Sequence, residues 1–153
     1  MQISIAVVGA AEPSDEACER AAAVGAAVAV AGATLVTGGL GGIMEAACRG
    51  ARERGGPTVG ILPGMSKQDA NPYVDCVLPT GLGDFRNYLV VAAADAVIAL
   101  EGRFGTLSEI AMALTLGKCV VGFGTWGIEG VRVVGSAEDA VRVAVEAARS
   151  IGI

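Results

Sequence analysis

Two side chains of opposite charge, Glu109 and Arg86, are the residues of this sequence best suited to chemistry. Glu109 closes the stretch "EGRFGTLSE", which follows the apolar run "ADAVIAL" and precedes the helical-looking "IAMALTLG". Arg86 lies in "GDFRNYLVV". A carboxyl group can accept a proton or a hydrogen bond from a sugar hydroxyl, and an arginine guanidinium can bind a phosphate or a carboxylate through two hydrogen bonds. The two residues therefore predict a site for a small anion, in which Glu109 is the resting partner of Arg86.

The stretch that ends at Glu109 also has a purely structural interpretation. Thr106 and Glu109 have the T-x-x-E spacing of a capping box, in which each side chain accepts a hydrogen bond from the backbone amide of the other residue. That interpretation does not account for Gly102 and Gly105, which precede or adjoin the proposed cap. The capping box and the ligand site are therefore both kept as explanations.

The stretch around Arg86 predicts a helix for which Asp84 is the N-cap. Arg86 and Asn87 then lie in the first helical turn, at the same edge of the sheet as Glu109. A cation at a helix N-terminus is unfavourable to the helix dipole, so its presence needs a reason. A bound anion is one reason, and a solvated surface position for Arg86 is the alternative.

A second glycine-rich joint, "VTGGLGGIME", predicts close approach of the backbone to a ligand. Gly38, Gly39, Gly41 and Gly42 stand between an expected strand and an expected helix. Such a joint can offer the free amides of a helix start to a phosphate, although tight turns alone would also use glycine. No Gly-Lys-Ser/Thr follows, so this is not a Walker A loop, and a dinucleotide fingerprint would instead follow the first strand, where the chain reads "GAAEPS".

Short apolar runs alternate with longer, alanine-rich stretches along the chain. This order predicts an α/β fold, a single domain over residues 1–153 with a doubly wound parallel sheet of six to seven strands flanked by helices. Ligands of such sheets bind beyond the carboxyl ends of the strands, where all the glycine-rich joints lie. Strands are expected within 3–9, 33–39, 57–64, 74–78, 95–100, 118–124 and 131–135. Helices are expected within 13–32, 41–56, 84–94, 105–117 and 137–150, with Ser14 and Ser136 as caps of the first and last.

Composition narrows the class of protein further. With 53% hydrophobic and 18% charged residues, the chain is expected to fold compactly. A net charge of −5 argues against a nucleic-acid surface. The absence of histidine removes the commonest general base and metal ligand. The four cysteines lack CxxC spacing and are expected to be buried small hydrophobes in a reducing cytosol rather than a metal or redox site. No signal peptide and no membrane span is recognised, so a cytoplasmic protein is expected.

The motifs "VTGGLGGIMEAACRGA", "GILPG", "ANPYVDCVLPTGLGDFRN", "ADAVIAL" and "GTLSEIAMAL" occur in one order that resembles the Rossmann-like LOG superfamily (SLOG), once misnamed lysine decarboxylase. More narrowly, they are similar to the branch that contains the molybdenum cofactor carrier protein. In the wider superfamily an arginine and the glutamate of PGGxGTxxE serve the hydrolysis of nucleoside 5′-monophosphates. The resemblance places Arg86 and Glu109 at those positions. It also implies a homodimer or homotetramer with the site near the subunit boundary.

The chain departs from the hydrolase pattern at two places. Glu101-Gly102-Arg103 stands where the hydrolases have Pro-Gly-Gly, and Asn87 replaces a lysine. The Arg-Asn pair is associated with the carrier-like branch. If the protein is an enzyme, the expected catalytic residues are Arg86 and Glu109. The expected ligand-binding residues are Gly9, Gly38, Gly39, Gly41, Gly42, Met44, Glu45, Asn87, Gly102, Arg103, Gly105 and Thr106.

Two functions are therefore weighed. The first is binding of a phosphate-bearing small molecule, a nucleotide or the molybdenum cofactor, with no other cofactor or metal required. The second is cleavage of the N-glycosidic bond of a nucleoside 5′-monophosphate, as in the cytokinin-activating enzymes of the superfamily. A third alternative is a chain that keeps the fold without the ligand. Neither nucleic acid nor a membrane is expected as a partner.

Overall fold

The computed structural model describes residues 1–151 and shows one sheet of seven parallel strands in the order β4-β3-β2-β1-β5-β6-β7. The strands are β1 (Ser4–Val8), β2 (Thr34–Thr37), β3 (Thr58–Leu62), β4 (Cys76–Pro79), β5 (Ala96–Ala99), β6 (Cys119–Gly122) and β7 (Arg132–Val133). The helices are α1 (Asp15–Val30), α2 (Ile43–Glu53), α3 (Arg86–Ala93), α4 (Phe104–Thr115) and α5 (Ala137–Ile151), with single 3-10 turns at Lys67–Asp69 and Gly83–Phe85.

Helices cover both faces of the sheet, which confirms the doubly wound α/β fold. Ile5 and Val7 pack into a core shared with α1, α2 and α5. Their neighbours Ala6 and Val8 point the other way, into a core shared with α3 and α4. A strand buried on both faces must be apolar at every position, which explains the unbroken run at the start of the sequence.

The order of the strands reverses at the centre of the sheet, between β1 and β5. From β1 the chain crosses to β2 through α1, and from β5 it crosses in the opposite direction to β6 through α4. The loops that follow β1 and β5 therefore leave the carboxyl edge of the sheet on opposite faces. Such a divergence opens a crevice, which is where open α/β sheets bind ligands.

The expected caps of the first and last helices are confirmed. The Ser14 hydroxyl accepts a hydrogen bond from the amide of Ala17 at 3.2 Å. The Ser136 hydroxyl accepts one from the amide of Asp139 at 3.1 Å. Each serine thus satisfies one of the amides that a helix start leaves without a partner.

Two other expected caps are wrong. Asp84 lies within the 3-10 turn Gly83–Phe85, so the position before α3 belongs to Phe85, whose side chain makes no capping bond. The helix α4 begins at Phe104, which places Thr106 inside its first turn instead of before it. The capping box between Thr106 and Glu109 is therefore absent. The chain can turn earlier than expected because a Cβ on Gly102 would lie 2.0 Å from the Thr106 hydroxyl oxygen, and glycine leaves that space free.

The cysteines are only partly as expected. All four are free thiols. Cys48 is buried and lies 3.5 Å from the Thr37 hydroxyl, whereas Cys76 is exposed because the edge strand β4 presents it to solvent. Within residues 1–151 no group of three or more Cys, Asp or Glu side chains is close enough to hold a metal ion. Over the same residues, the helices are all too short or too polar to span a bilayer.

Candidate functional site

A cavity of about 610 Å³ lies at the carboxyl edge of the sheet, between the loops that follow β1 and β5. Its volume is in the range of pockets that bind small molecules. Ten of the sequence-predicted site residues line this cavity: Gly9, Gly38, Met44, Arg86, Asn87, Gly102, Arg103, Gly105, Thr106 and Glu109. The topological switch thus brings together residues from four separate stretches of the chain.

The start of α4 forms one wall of the cavity. The first amides of a helix have no partner within it and carry the positive end of the helix dipole. Gly105 is exposed, and a Cβ there would lie no closer than 3.8 Å to another residue, so its backbone is open to a ligand. Thr106 is buried and presents its hydroxyl to the same space. Arg103 is exposed at the rim and adds a positive charge.

Arg86, at the start of α3, lines the cavity and is buried, so the alternative of a solvated surface arginine is wrong. Its Nε donates to the carbonyl oxygen of Ile61 at 2.9 Å, and its terminal nitrogens donate to the Gly38 carbonyl at 3.3 Å and to the Asn87 side-chain oxygen. A guanidinium carries five N–H donors, so about two remain for a ligand in the cavity. Gly38 is required here, because a Cβ would lie 2.6 Å from Arg86 and 2.8 Å from the Met44 sulfur.

Glu109 is 8% exposed and lines the cavity, and its carboxyl has no hydrogen-bonding partner among the described residues. Burial raises the pKa of Glu109 to about 8, although the nearby Arg86 charge opposes the rise. Burial likewise lowers the pKa of the Arg86 guanidinium, against the opposing charges of Glu109 and Asp84. The two side chains form no ion pair within 4.0 Å, so the expected direct pairing of Arg86 with Glu109 is not found among residues 1–151. Near neutral pH, Glu109 is mainly a neutral hydrogen-bond donor, which does not repel an anion.

Four other sequence-predicted residues lie outside the lining of the cavity: Gly39, Gly41, Gly42 and Glu45. Gly39 and Gly42 have φ values of +76° and +66°, which glycine adopts readily. A Cβ on Gly42 would lie 2.3 Å from the carbonyl oxygen of Ala10, so this glycine allows the loop after β1 to approach α2. The amide of Ile43 donates to that same carbonyl at 3.0 Å. The start of α2 is thus partly satisfied by protein, and the start of α4 is the more open of the two.

Sequence reasoning missed the role of Glu101. Its carbonyl oxygen accepts a hydrogen bond from the amide of Ala10 at 2.8 Å, and its carboxylate accepts one from the amide of Ser14 at 2.8 Å. The residue thereby joins the loop after β5 to the loop after β1 and places a negative charge at the start of α1, where helix dipoles favour it. The signal in the sequence that could have indicated this role is the glutamate at a position where the superfamily has proline.

Fold and site together define a Rossmann-like protein with a ligand cavity at the topological switch of its sheet. The chain belongs to the SLOG cluster4 family, whose sequence model matches residues 2–151. The resemblance to the LOG superfamily is thereby confirmed.

Similar proteins include both kinds of relative that the motifs indicate. A structure described as the molybdenum cofactor binding protein from Rippkaea orientalis superposes with a TM-score of 0.89 at 31% identity, covering 100% of this chain and 99% of that one. The molybdenum cofactor carrier protein from Chlamydomonas reinhardtii gives a TM-score of 0.88 at 30% identity, covering 96% and 98%. A cytokinin riboside 5′-monophosphate phosphoribohydrolase of Mycobacterium marinum is 38% identical over 135 residues, or 81% of this chain and 72% of the relative.

Proposed function

We propose that this protein binds a phosphate-bearing small molecule, a nucleotide or the molybdenum cofactor, in the cavity at the topological switch. The observation that carries the proposal is the meeting of Arg86, the open start of α4 and the neutral Glu109 carboxyl in one cavity. The relatives named for molybdenum cofactor binding support it.

The phosphate belongs at the α4 side of the cavity. There the backbone around Gly105 and the Thr106 hydroxyl supply hydrogen-bond donors, and the guanidinium of Arg86 supplies positive charge. The start of α1 is less suitable, because the Glu101 carboxylate already occupies its Ser14 amide. A protein of net charge −5 can thus hold an anion through a local arrangement of donors.

Calorimetry with AMP, GMP, ribose 5-phosphate and purified molybdenum cofactor tests the proposal, with the substitution Thr106→Val as the probe. Valine keeps the shape of threonine and removes the hydroxyl. A hydrogen bond to a charged group contributes about 1.5–3 kcal/mol, so binding of the phosphate ligand is expected to weaken about tenfold to a hundredfold. Thr115→Val is the matched control, because Thr115 is exposed on the same helix, outside the cavity. Absence of binding across the whole panel would refute the proposal.

A second candidate function is hydrolysis of a nucleoside 5′-monophosphate. The specific observation in its favour is the Glu109 carboxyl, whose pKa of about 8 suits a group that exchanges protons near neutral pH. It can donate a proton to the departing base or, once ionised, accept one from water, while Arg86 binds the negatively charged 5′-phosphate. The phosphoribohydrolase relative supports this candidate.

The second candidate is tested by measuring the release of free base from AMP or from a cytokinin riboside 5′-monophosphate by chromatography. Glu109→Gln is expected to lower the rate at least about a hundredfold, because general acid–base catalysis contributes on that order. Glu53→Gln, at an exposed glutamate on α2, is the matched control. Equal rates for the wild-type protein and Glu109→Gln would reject hydrolysis through this carboxyl while leaving ligand binding intact.

We further infer assembly into a homodimer or homotetramer. Phe85 and Tyr88, at and near the start of α3, are 84% and 46% exposed, and Phe104 at the start of α4 is 73% exposed. These aromatic groups lie beside the cavity residues Arg86 and Arg103 in sequence, which supports a subunit boundary near the site. Light scattering after size exclusion is expected to give a multiple of 15.2 kDa, and a monomer would contradict this inference.

A further inference from the structure

A smaller groove of about 270 Å³ opens beside the main cavity, and among its lining residues Gly102 alone belongs to the predicted site. We call it the side groove and define it by Glu101, Gly102, Gly124, Thr125 and Trp126. Glu101 and Gly102 also line the main cavity, so the two spaces share a wall. The remaining three residues come from the loop after β6, the strand next to β5. A ligand too long for the main cavity can extend along this shared wall.

Trp126 gives the side groove a fixed aromatic surface. Its indole nitrogen donates a hydrogen bond to the carbonyl oxygen of Arg103 at 3.1 Å. Its ring lies 6.4 Å from the Phe104 ring, centroid to centroid, with 28° between the planes. The indole is therefore oriented at two points and loses little freedom when a flat group packs on it.

Polar groups in the side groove are short of partners. One Glu101 carboxylate oxygen is bonded to the Ser14 amide, and the other has no protein donor among the residues described. The Thr125 hydroxyl is buried, and among residues 1–151 it is the buried side-chain oxygen that lacks any hydrogen-bonding partner. A ligand edge that carries an amino group would give the carboxylate a donor. A second phosphate is disfavoured here by the charge of Glu101.

We propose that the side groove binds the planar heteroaromatic ring of a phosphate-bearing ligand, with the ring packed on Trp126 and its amino-substituted edge on Glu101. This inference rests on the proposed function, because the phosphate of the same ligand occupies the main cavity. Purines and pterins with exocyclic amino groups have the required chemistry.

The test compares AMP with ribose 5-phosphate, which carries the same phosphate and sugar without the ring. Stacking of a base on an aromatic side chain contributes about 1–3 kcal/mol, which predicts at least about fivefold tighter binding of AMP in calorimetry. Trp126→Ala is expected to remove most of this preference for AMP, and Trp126→Phe is expected to retain most of it. Purine riboside 5′-monophosphate, which lacks the amino group, is expected to bind more weakly than AMP. Equal binding of AMP and ribose 5-phosphate to the wild-type protein would overturn the side-groove proposal and leave the proposed function standing. Absence of binding by AMP, ribose 5-phosphate, GMP and purified molybdenum cofactor alike would overturn both.

The wild-type protein offers a readout that does not depend on any variant, because Trp126 is the single tryptophan of the chain. AMP is expected to change its fluorescence at concentrations that match the calorimetric affinity, and ribose 5-phosphate is expected to leave it nearly unchanged. An emission spectrum that does not respond to saturating AMP would overturn the proposal, even if Trp126→Ala fails to fold.

Discussion

Replacing Glu109 by glutamine is expected to make the protein more stable at pH 8 and to change its stability little at pH 4.5. Glutamine keeps the shape of the side chain and cannot ionise. In the folded protein, burial raises the pKa of Glu109 to about 8, from an ordinary value of 4.5. Between these two pH values the folded state holds a proton that the unfolded state has released. Wild-type stability therefore falls as the pH rises through this window and levels off above pH 8.

The magnitude follows from the width of the window. One pH unit corresponds to about 1.4 kcal/mol per proton, so a pKa moved from 4.5 to about 8 gives an upper limit of about 5 kcal/mol for the cost of ionising Glu109 in the fold. The free energy of unfolding of Glu109→Gln is expected to exceed that of the wild-type protein by an amount that grows with pH toward this limit.

Urea unfolding at pH 5, 6.5 and 8, with the ligand left out, measures this difference. Subtracting the wild-type values from those of the variant removes the contributions of the other titrating groups. Glu53→Gln, the same substitution at an exposed position, is the control. A Glu109→Gln variant that is less stable than the wild-type protein at pH 8, or a difference that does not grow with pH, would refute a neutral buried carboxyl.

Three other predictions follow from the same contacts. Affinity for a phosphate ligand, measured by calorimetry, is expected to fall by up to about tenfold per pH unit above pH 8, where Glu109 becomes an anion, and to stay level in Glu109→Gln. Gly38→Ala is expected to lower the free energy of unfolding by about 1–3 kcal/mol and to weaken ligand binding, because the added Cβ would displace Arg86. Gly41→Ala is its control, since a Cβ there meets nothing within 4 Å, and an equal effect of both would contradict the argument. Glu101→Ala is expected to cost about 0.5–1.5 kcal/mol in urea unfolding by removing the bond to the α1 start, and unchanged stability would exclude that role.

The fold could be predicted from the sequence because its signals are local. The apolar run of β1 is buried on both faces of the sheet. Ser14 caps α1 through a hydrogen bond from the amide of Ala17, only three residues further on. The alternation of strands and helices predicts a parallel sheet but not which strand lies beside which. The neighbours of each strand depend on how the helices pack against the sheet. The sequence does not locate the start of α4, because Thr106 and Glu109 have the spacing of a capping box before a helix. The same two residues can equally lie inside the first turn of a helix that begins at Phe104.

The candidate site was predictable where a motif repeats a known spacing and not where it depends on contacts between distant parts of the chain. Arg86 and Glu109 could be named from their surroundings in the sequence. The bond from Ser14 to Glu101 joins residues 87 positions apart, and no local pattern announces it. The glycines of the joint before α2 were assigned to a ligand, whereas Gly42 makes room for the loop at Ala10. A glycine required by another loop looks the same in a sequence as a glycine required by a phosphate.

The two bonds of Glu101 have a consequence for how a guest enters. Its backbone and its side chain form hydrogen bonds that join the loop after β5 to the loop after β1. The opening of the cavity between these loops is therefore held in place before a ligand binds. The protein then loses little conformational freedom when a ligand binds. It selects among small molecules by whether they fit the preformed opening, not by whether they can induce the loops to close.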